Sequence, residues 1–511
     1  MRKLLLTLAV LSVIALAAAG CGSNEQTASG ATELVPAGAL MYGEASLKPE
    51  GDQKQAVESI LAKFPGGGQA SDRLKDLIEK GLRDADAPVS FKKDIEPWLG
   101  DQAAFFVVGS LIQPAGKGSA AALIATNDED KAQAALEKSA EGKTTQHTYK
   151  DVDYLTDESG EAGAVFDGFL VLGSEPGVRA AIDTSKGGPK LSDDDGFKAK
   201  LDDAAEDRLG LFYLNSPEIA KAMPQGAGVP PALKDALKEP FLATVDADDD
   251  GVVFEGALPA QLAKTAGLLG NGSDLMADLP ADSWLAFAQT DLGALIDHSV
   301  DSFAGLAGGR DTVEQQFAAA TGLDLQKDVI AWMGDFGVFA RGTSVADLDG
   351  ALVVETKDEA ASGRFIAALE RLVKGQAAQA GGLEIGPLQA SGGGEGFTVG
   401  GGGIPKPVHV FQKSGRVVFA YGDAAARDAV DPSQKLGDSP DFAAARDSLG
   451  DYTISFYVLM QPIFDLVEAS GAATDADWQK AKPYLEPLSA LVAGTSGDGD
   501  NVKSAAKLVV K

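Results

Sequence analysis

Lys93-Asp94-Ile95-Glu96-Pro97-Trp98-Leu99-Gly100-Asp101 returns about 230 residues later as Lys327-Asp328-Val329-Ile330-Ala331-Trp332-Met333-Gly334-Asp335. The echo extends both ways in the same order. Val35-Pro36-Ala37-Gly38-Ala39-Leu40 is answered by Leu279-Pro280-Ala281-Asp282-Ser283-Trp284, Leu123-Ile124-Ala125-Thr126 by Val353-Val354-Glu355-Thr356, and Phe212-Tyr213 by Phe456-Tyr457. Glu239-Pro240 before Asp248-Asp249-Asp250-Gly251 matches Glu486-Pro487 before Gly497-Asp498-Gly499-Asp500. So long a period predicts two homologous tandem domains rather than a solenoid, whose repeats run roughly 20–50 residues. The reading places them at 33–260 and 278–511, joined by a short connector over 261–277.

Each unit reads as α+β, a mainly antiparallel sheet packed with several helices. In the first unit the expected strands run over 40–47, 103–109, 121–125, 153–156, 164–173, 209–215, 241–245 and 252–255. Hairpin-type turns at 113–118 and 247–251 favour antiparallel pairing over βαβ crossovers. Helices are expected over 55–64, 70–82, 129–139 and 197–205, and in the second unit over 359–373, where Phe365, Ile366, Leu369, Leu372 and Val373 share one face. Thr126-x-x-Glu129 and Thr356-x-x-Glu359 have the form of capping boxes at two equivalent helix starts.

The N-terminus carries an export signal: Arg2 and Lys3, an apolar run from Leu4 to Ala19, then Gly20-Cys21. That run falls short of the about 20 apolar residues of a transmembrane helix, so residues 1–20 are expected to be cleaved. Cys21 is the only cysteine, which excludes intramolecular disulfides. Ala18-Ala19-Gly20-Cys21 resembles the lipobox of bacterial lipoproteins, with Ala18 where leucine is commonest. The resemblance implies acyl chains, palmitate among them, on Cys21, with 21–32 as a flexible tether. Each buried methylene contributes about 0.8 kcal/mol, and two or more chains anchor stably. The chain is therefore expected on the outer face of the cytoplasmic membrane, held there by its lipid.

A formal net charge of −31 excludes nucleic acid as a partner, because such a surface repels a phosphate backbone. Hydrophobic content of 45% is that of a folded chain and not of a disordered one.

Motifs that could carry chemistry are incomplete. Asp246-x-Asp248-x-Asp250-Gly251 opens like a calcium loop but has Ala257 where the bidentate glutamate belongs, and it reads as a hairpin turn. Asp193-Asp194-Asp195-Gly196 reads as the solvated approach to a helix. Gly400-Gly401-Gly402-Gly403 lacks the Gly-Lys-Ser/Thr ending of a phosphate loop, and Ser90-x-x-Lys93 has no Lys-Thr-Gly partner. The three histidines, His147, His298 and His409, are scattered, and no nucleophile elbow is present. Catalytic, metal and cofactor sites are therefore not expected.

The repeated Trp-x-Gly-Asp is the remaining site candidate. Trp98 beside Asp101, and Trp332 beside Asp335, would give each domain an aromatic plate next to a carboxylate. The alternative is architectural: the tryptophan packs at a helix end, glycine takes a left-handed cap, and aspartate leads into the next strand.

Val35-Pro36-Ala37, the break Phe64-Pro65-Gly66-Gly67 and Pro97-Trp98-Leu99-Gly100-Asp101 resemble the bacterial family catalogued as domain of unknown function 3352. The second unit departs from that pattern at Ala331 and at Phe303-Ala304-Gly305. The family implies an exported, often membrane-attached protein with no assigned activity. The expectation is a non-enzymatic envelope lipoprotein acting as a binding or scaffold module for an envelope protein. Two alternatives stand beside it: a carrier of lipid or another apolar ligand in a cavity, and an unrecognised extracytoplasmic hydrolase.

Overall fold

Strand residues alternate sharply in what they touch. Leu123 and Val171 enter one apolar cluster while their neighbours Ile124, Leu170 and Leu172 enter another, so both faces of the sheet are covered. The computed structural model describes residues 30–67, 70–84, 87–109, 119–140, 144–204, 207–223, 237–257, 272–304, 308–380, 382–388, 393–497 and 502–511. The signal segment, Cys21, the hairpin at 113–118 and most of the connector lie outside these residues. The chain divides into two units, one ending at Ala257 and the other running from Leu258 to Lys511.

The described residues of the first unit form ten strands: β1 (Met41–Ser46), β2 (Leu99–Val108), β3 (Ser119–Thr126), β4 (Thr144–Tyr149), β5 (Val152–Asp157), β6 (Glu161–Phe166), β7 (Phe169–Ser174), β8 (Gly210–Leu214), β9 (Phe241–Asp248) and β10 (Gly251–Ala257). Their order is β4-β5-β6-β7-β3-β2-β1-β8-β9-β10, antiparallel throughout. The second unit contains β11 (Leu285–Gln289), β12 (Met333–Arg341), β13 (Asp349–Thr356), β14 (Leu383–Pro387), β15 (Glu395–Gly401), β16 (Val408–Lys413), β17 (Arg416–Tyr421), β18 (Thr453–Leu459), β19 (Leu488–Ser496) and β20 (Lys503–Val510). Its order, β14-β15-β16-β17-β13-β12-β11-β18-β19-β20, repeats that of the first unit strand for strand. The α+β class with antiparallel sheets and many helices matches the sequence reading.

Local chemistry sets several boundaries differently. The expected strand over 164–173 is two strands, β6 and β7, folded back at Asp167 and Gly168, both with positive φ (48° and 77°). Apolar residues on both sides of that Asp-Gly turn hide the reversal from a hydrophobicity reading. The capping boxes are also corrected. The cap is Asp128, whose Oδ1 accepts from the Lys131 amide at 3.1 Å, and in the second unit Asp358, which accepts from Ala361 at 3.0 Å. Thr126 and Thr356 instead accept from the Asp128 and Asp358 amides, two residues too early to cap. Among the described residues of the first unit two α-helices lie outside the expected set, Glu175–Ser185 and Ser216–Ala222. Each has proline in its first turn and a side-chain cap, Ser174 and Asn215.

Candidate functional site

In antiparallel strands, directly opposed residues point to one face. Gly43 on β1 opposes Phe105 on β2 and Phe212 on β8; Ala45 opposes Ala103 and Gly210; Gly210 opposes Val245 on β9. These side chains share a face with Ile124, which opposes Ala103 and belongs to the cluster around Trp98. They line a half-open cavity of about 160 Å³ in the middle of the first sheet. The small residues leave the space, and Phe105, Phe212 and Val245 wall it. A side chain at Gly43 is excluded because its Cβ would lie 2.4 Å from the Phe105 ring.

Glu44 also borders the cavity through its backbone, but its carboxylate turns to the opposite face. There it accepts from the Tyr42 hydroxyl (2.6 Å) and Gln102 Nε2 (3.0 Å), and pairs with Arg208 (3.4 Å). The side chains that face the cavity are therefore apolar.

The second unit shows why the space exists. The Leu40 amide reaches the Val107 carbonyl, and the Trp284 amide reaches that of Ala340, which aligns Gly43 with Phe287, Ala103 with Phe336 and Phe105 with Val338. Phe287 and Phe336 meet edge to face at 5.6 Å and fill this part of the second sheet. In the first unit the Gly43–Phe105 pair reverses the sizes of Phe287–Val338, while Ala103 has no bulky counterpart to replace Phe336. One ring is missing, and the cavity is its place. The cavity residues were not anticipated as a site; the available signal was glycine and alanine in one copy where the other has phenylalanine.

The structure places Trp98, Trp332 and Asp335 in supporting positions and leaves Asp101 exposed. Trp98 and Trp332 are buried, and each indole N–H donates to a carbonyl of its own turn, Asp94 at 2.5 Å and Asp328 at 3.2 Å. Trp332 packs against Phe365 at 5.4 Å. Asp101 is an exposed residue of β2. Asp335 accepts from Ser273 Oγ (2.7 Å) and from the Asp291 amide (3.1 Å), which fixes its carboxylate in the fold. Gly100 is not in a left-handed cap as expected. It lies in β2, where a Cβ would meet the backbone of Ala125 at 2.7 Å, and Gly334 approaches Glu355 in the same way.

The remaining motifs are occupied structurally. Asp248 and Gly251 oppose each other across the β9–β10 turn, so the aspartate series is a hairpin. Asp194 caps the helix Asp195–Asp202 by accepting from the Phe197 amide at 2.8 Å. Ser90 Oγ donates to Glu79 at 3.2 Å, while Lys93 is exposed. His147 contacts Thr156 Oγ1 at 2.9 Å and stacks on Tyr154. His409 is fully buried between Thr398 Oγ1 (3.0 Å) and Asp423 (2.8 Å). His298 lies on the helix Leu292–Ala304. Among the described residues no three or more His, Cys, Asp or Glu side chains converge on a metal position.

The profile of the family described as "Protein of unknown function (DUF3352)" matches residues 3–449. The chain belongs to that family. No curated protein matches it in sequence. Among solved structures it is similar to crystal form IV of TP0453, at 11% identity over 45% of this chain and 79% of that one, with a TM-score of 0.23. Crystal form I of TP0453 gives 10% identity, 46% and 79% coverage, and the same TM-score. Among the described residues of this DUF3352 protein, no helix is long and apolar enough to cross a membrane.

Proposed function

We propose that this DUF3352 protein is an exported, lipid-anchored binding protein without catalytic activity, and that its first unit takes up an alkyl segment of an apolar envelope ligand. The carrying observation is the cavity of about 160 Å³ walled by Phe105, Phe212 and Val245. An apolar cavity of about 150 Å³ is large enough to hold benzene, so this one suits a single ring or a short run of methylenes. Full burial of four to six methylenes contributes about 3–5 kcal/mol, and a half-open cavity yields less. Such a gain supports reversible binding, as a carrier requires. The non-catalytic part of the reading rests on the apolar walls, which offer a bound molecule neither a nucleophile nor an acid. Anchorage rests on the sequence around Cys21.

Replacing Ala103 by phenylalanine supplies the ring that the second unit carries at Phe336. A fluorescent fatty acid should bind the parent chain, and Ala103→Phe should weaken that binding at least about tenfold while leaving the circular dichroism spectrum intact. Equal binding by both proteins would remove the cavity from the proposal. Binding by neither would refute the alkyl ligand itself.

A further inference from the structure

The outer edge of the first sheet is β4, which pairs with β5 on one side. Among the described residues, nothing pairs with its other side. The hairpin turns over Lys150 and Asp151, both with positive φ (47° and 63°), so Tyr149 and Val152 close it as a hydrogen-bonded pair. Alternation makes His147–Tyr154 and Thr145–Thr156 the next bonded pairs. The N–H and C=O groups of Thr144, Gln146 and Thr148 therefore point outward.

Natural sheets commonly blunt such an edge with charge, proline, a bulge or a cover. The equivalent edge of the second unit, β14, carries Glu384 and ends in Pro387. By contrast β4 reads Thr-Thr-Gln-His-Thr-Tyr, with no acid, lysine or proline, and its register with β5 has no bulge. Two acids of β5 stand opposite its outward residues, and both are engaged: Asp153 accepts from Thr148 Oγ1 at 2.7 Å and lies 3.5 Å from Gln146 Nε2, and Asp157 accepts from the Ser159 hydroxyl (2.6 Å) and from the Ser159 and Glu161 amides (2.8 and 3.1 Å). Neither is free to be presented to a basic peptide.

We propose that β4 is a self-association edge, at which two copies of the chain join β4 to β4 antiparallel about a two-fold axis through Gln146. That register sets Gln146 against its own copy and Thr144 against Thr148 of the second copy, pairing every outward backbone group. The cross-strand side-chain pairs are threonine with threonine and glutamine with glutamine on one face and Thr145 with His147 on the other, all polar and none of them an acid, lysine or arginine. The absence of charge favours a second copy as the occupant. Two chains of net charge −31 repel over most of their surfaces, and an uncharged strand is where they meet at least cost.

Sedimentation velocity on the full chain carrying Cys21→Ser, which removes the anchor and the only native thiol, tests the proposal. A concentration-dependent dimer is expected, weak because one short strand contributes the contact. Gln146→Pro deletes an N–H that β5 does not use, so the hairpin persists and the dimer is lost. Gln146→Lys opposes two cations at the axis and should act likewise, with an unchanged melting temperature. Opposed residues of a bonded pair lie about 5.5 Å apart at Cα, within disulfide reach. Gln146→Cys in the same background should therefore oxidise to a covalent dimer, whereas Asp130→Cys on an exposed helix face should not. A monomer at every concentration would overturn the proposal, as would a dimer that survives both Gln146→Pro and Gln146→Lys, because that dimer would be built on another surface or peptide edge.

Discussion

Asp246 on β9 accepts from Thr244 Oγ1 at 3.0 Å through one carboxylate oxygen, while the other is buried without a partner among the described residues. Burial pushes its pKa up to about 6; the Thr244 hydroxyl opposes the rise and the Glu255 charge adds to it. The folded value lies above the ordinary 3.8 of the unfolded chain. Between about pH 4 and pH 6 the folded state therefore holds the extra proton, and stability falls as pH rises through that window. Asp246→Asn removes the charge and should raise stability at pH 7 by about 1 kcal/mol, partial exposure screening a larger effect. Urea denaturation at pH 4.5 and pH 7 checks this, the parent losing more stability between the two than the variant. Neither this carboxylate nor the cavity was legible residue by residue. Asp246 reads in sequence as part of an acidic turn, and its pKa is set by the burial that the fold imposes on its strand. Gly43 and Ala103 become informative only when cross-strand pairing shows which side chains share a face.

Elements were readable where one local signal governed them. The helix Glu129–Ser139 begins and ends where its pattern predicts, with Ala132, Ala135 and Leu136 buried together. Its start is held by Asp128, so Asp128→Ala should lower the urea midpoint of unfolding, and Asp128→Asn should recover most of the loss by keeping the acceptor. An equal loss in both variants would point away from the cap. The β6–β7 hairpin was missed because its strands are apolar without interruption, and β4 because a run of threonine, glutamine and histidine gives no hydrophobic alternation. That polarity is the property that leaves β4 presentable as an edge.

At the scale of the whole molecule, placement depends on one residue outside the described fold. Incorporation of radioactive palmitate into the expressed chain is expected, and Cys21→Ala should abolish it and release the protein from membranes; labelling that persisted would refute the anchor. The sequence by itself determined the α+β class, the family and the echo between the two halves, because strand alternation, helix periodicity and repeated motifs are properties of residues near one another along the chain. Only the tertiary structure decided that the two units share one strand order, that both tryptophans are spent in their cores, and that a ring-sized cavity stands in the first sheet alongside an unblunted edge at β4. Those features arise where segments far apart in the chain are hydrogen-bonded side by side, and a void or an unpaired edge is defined by which neighbour is missing.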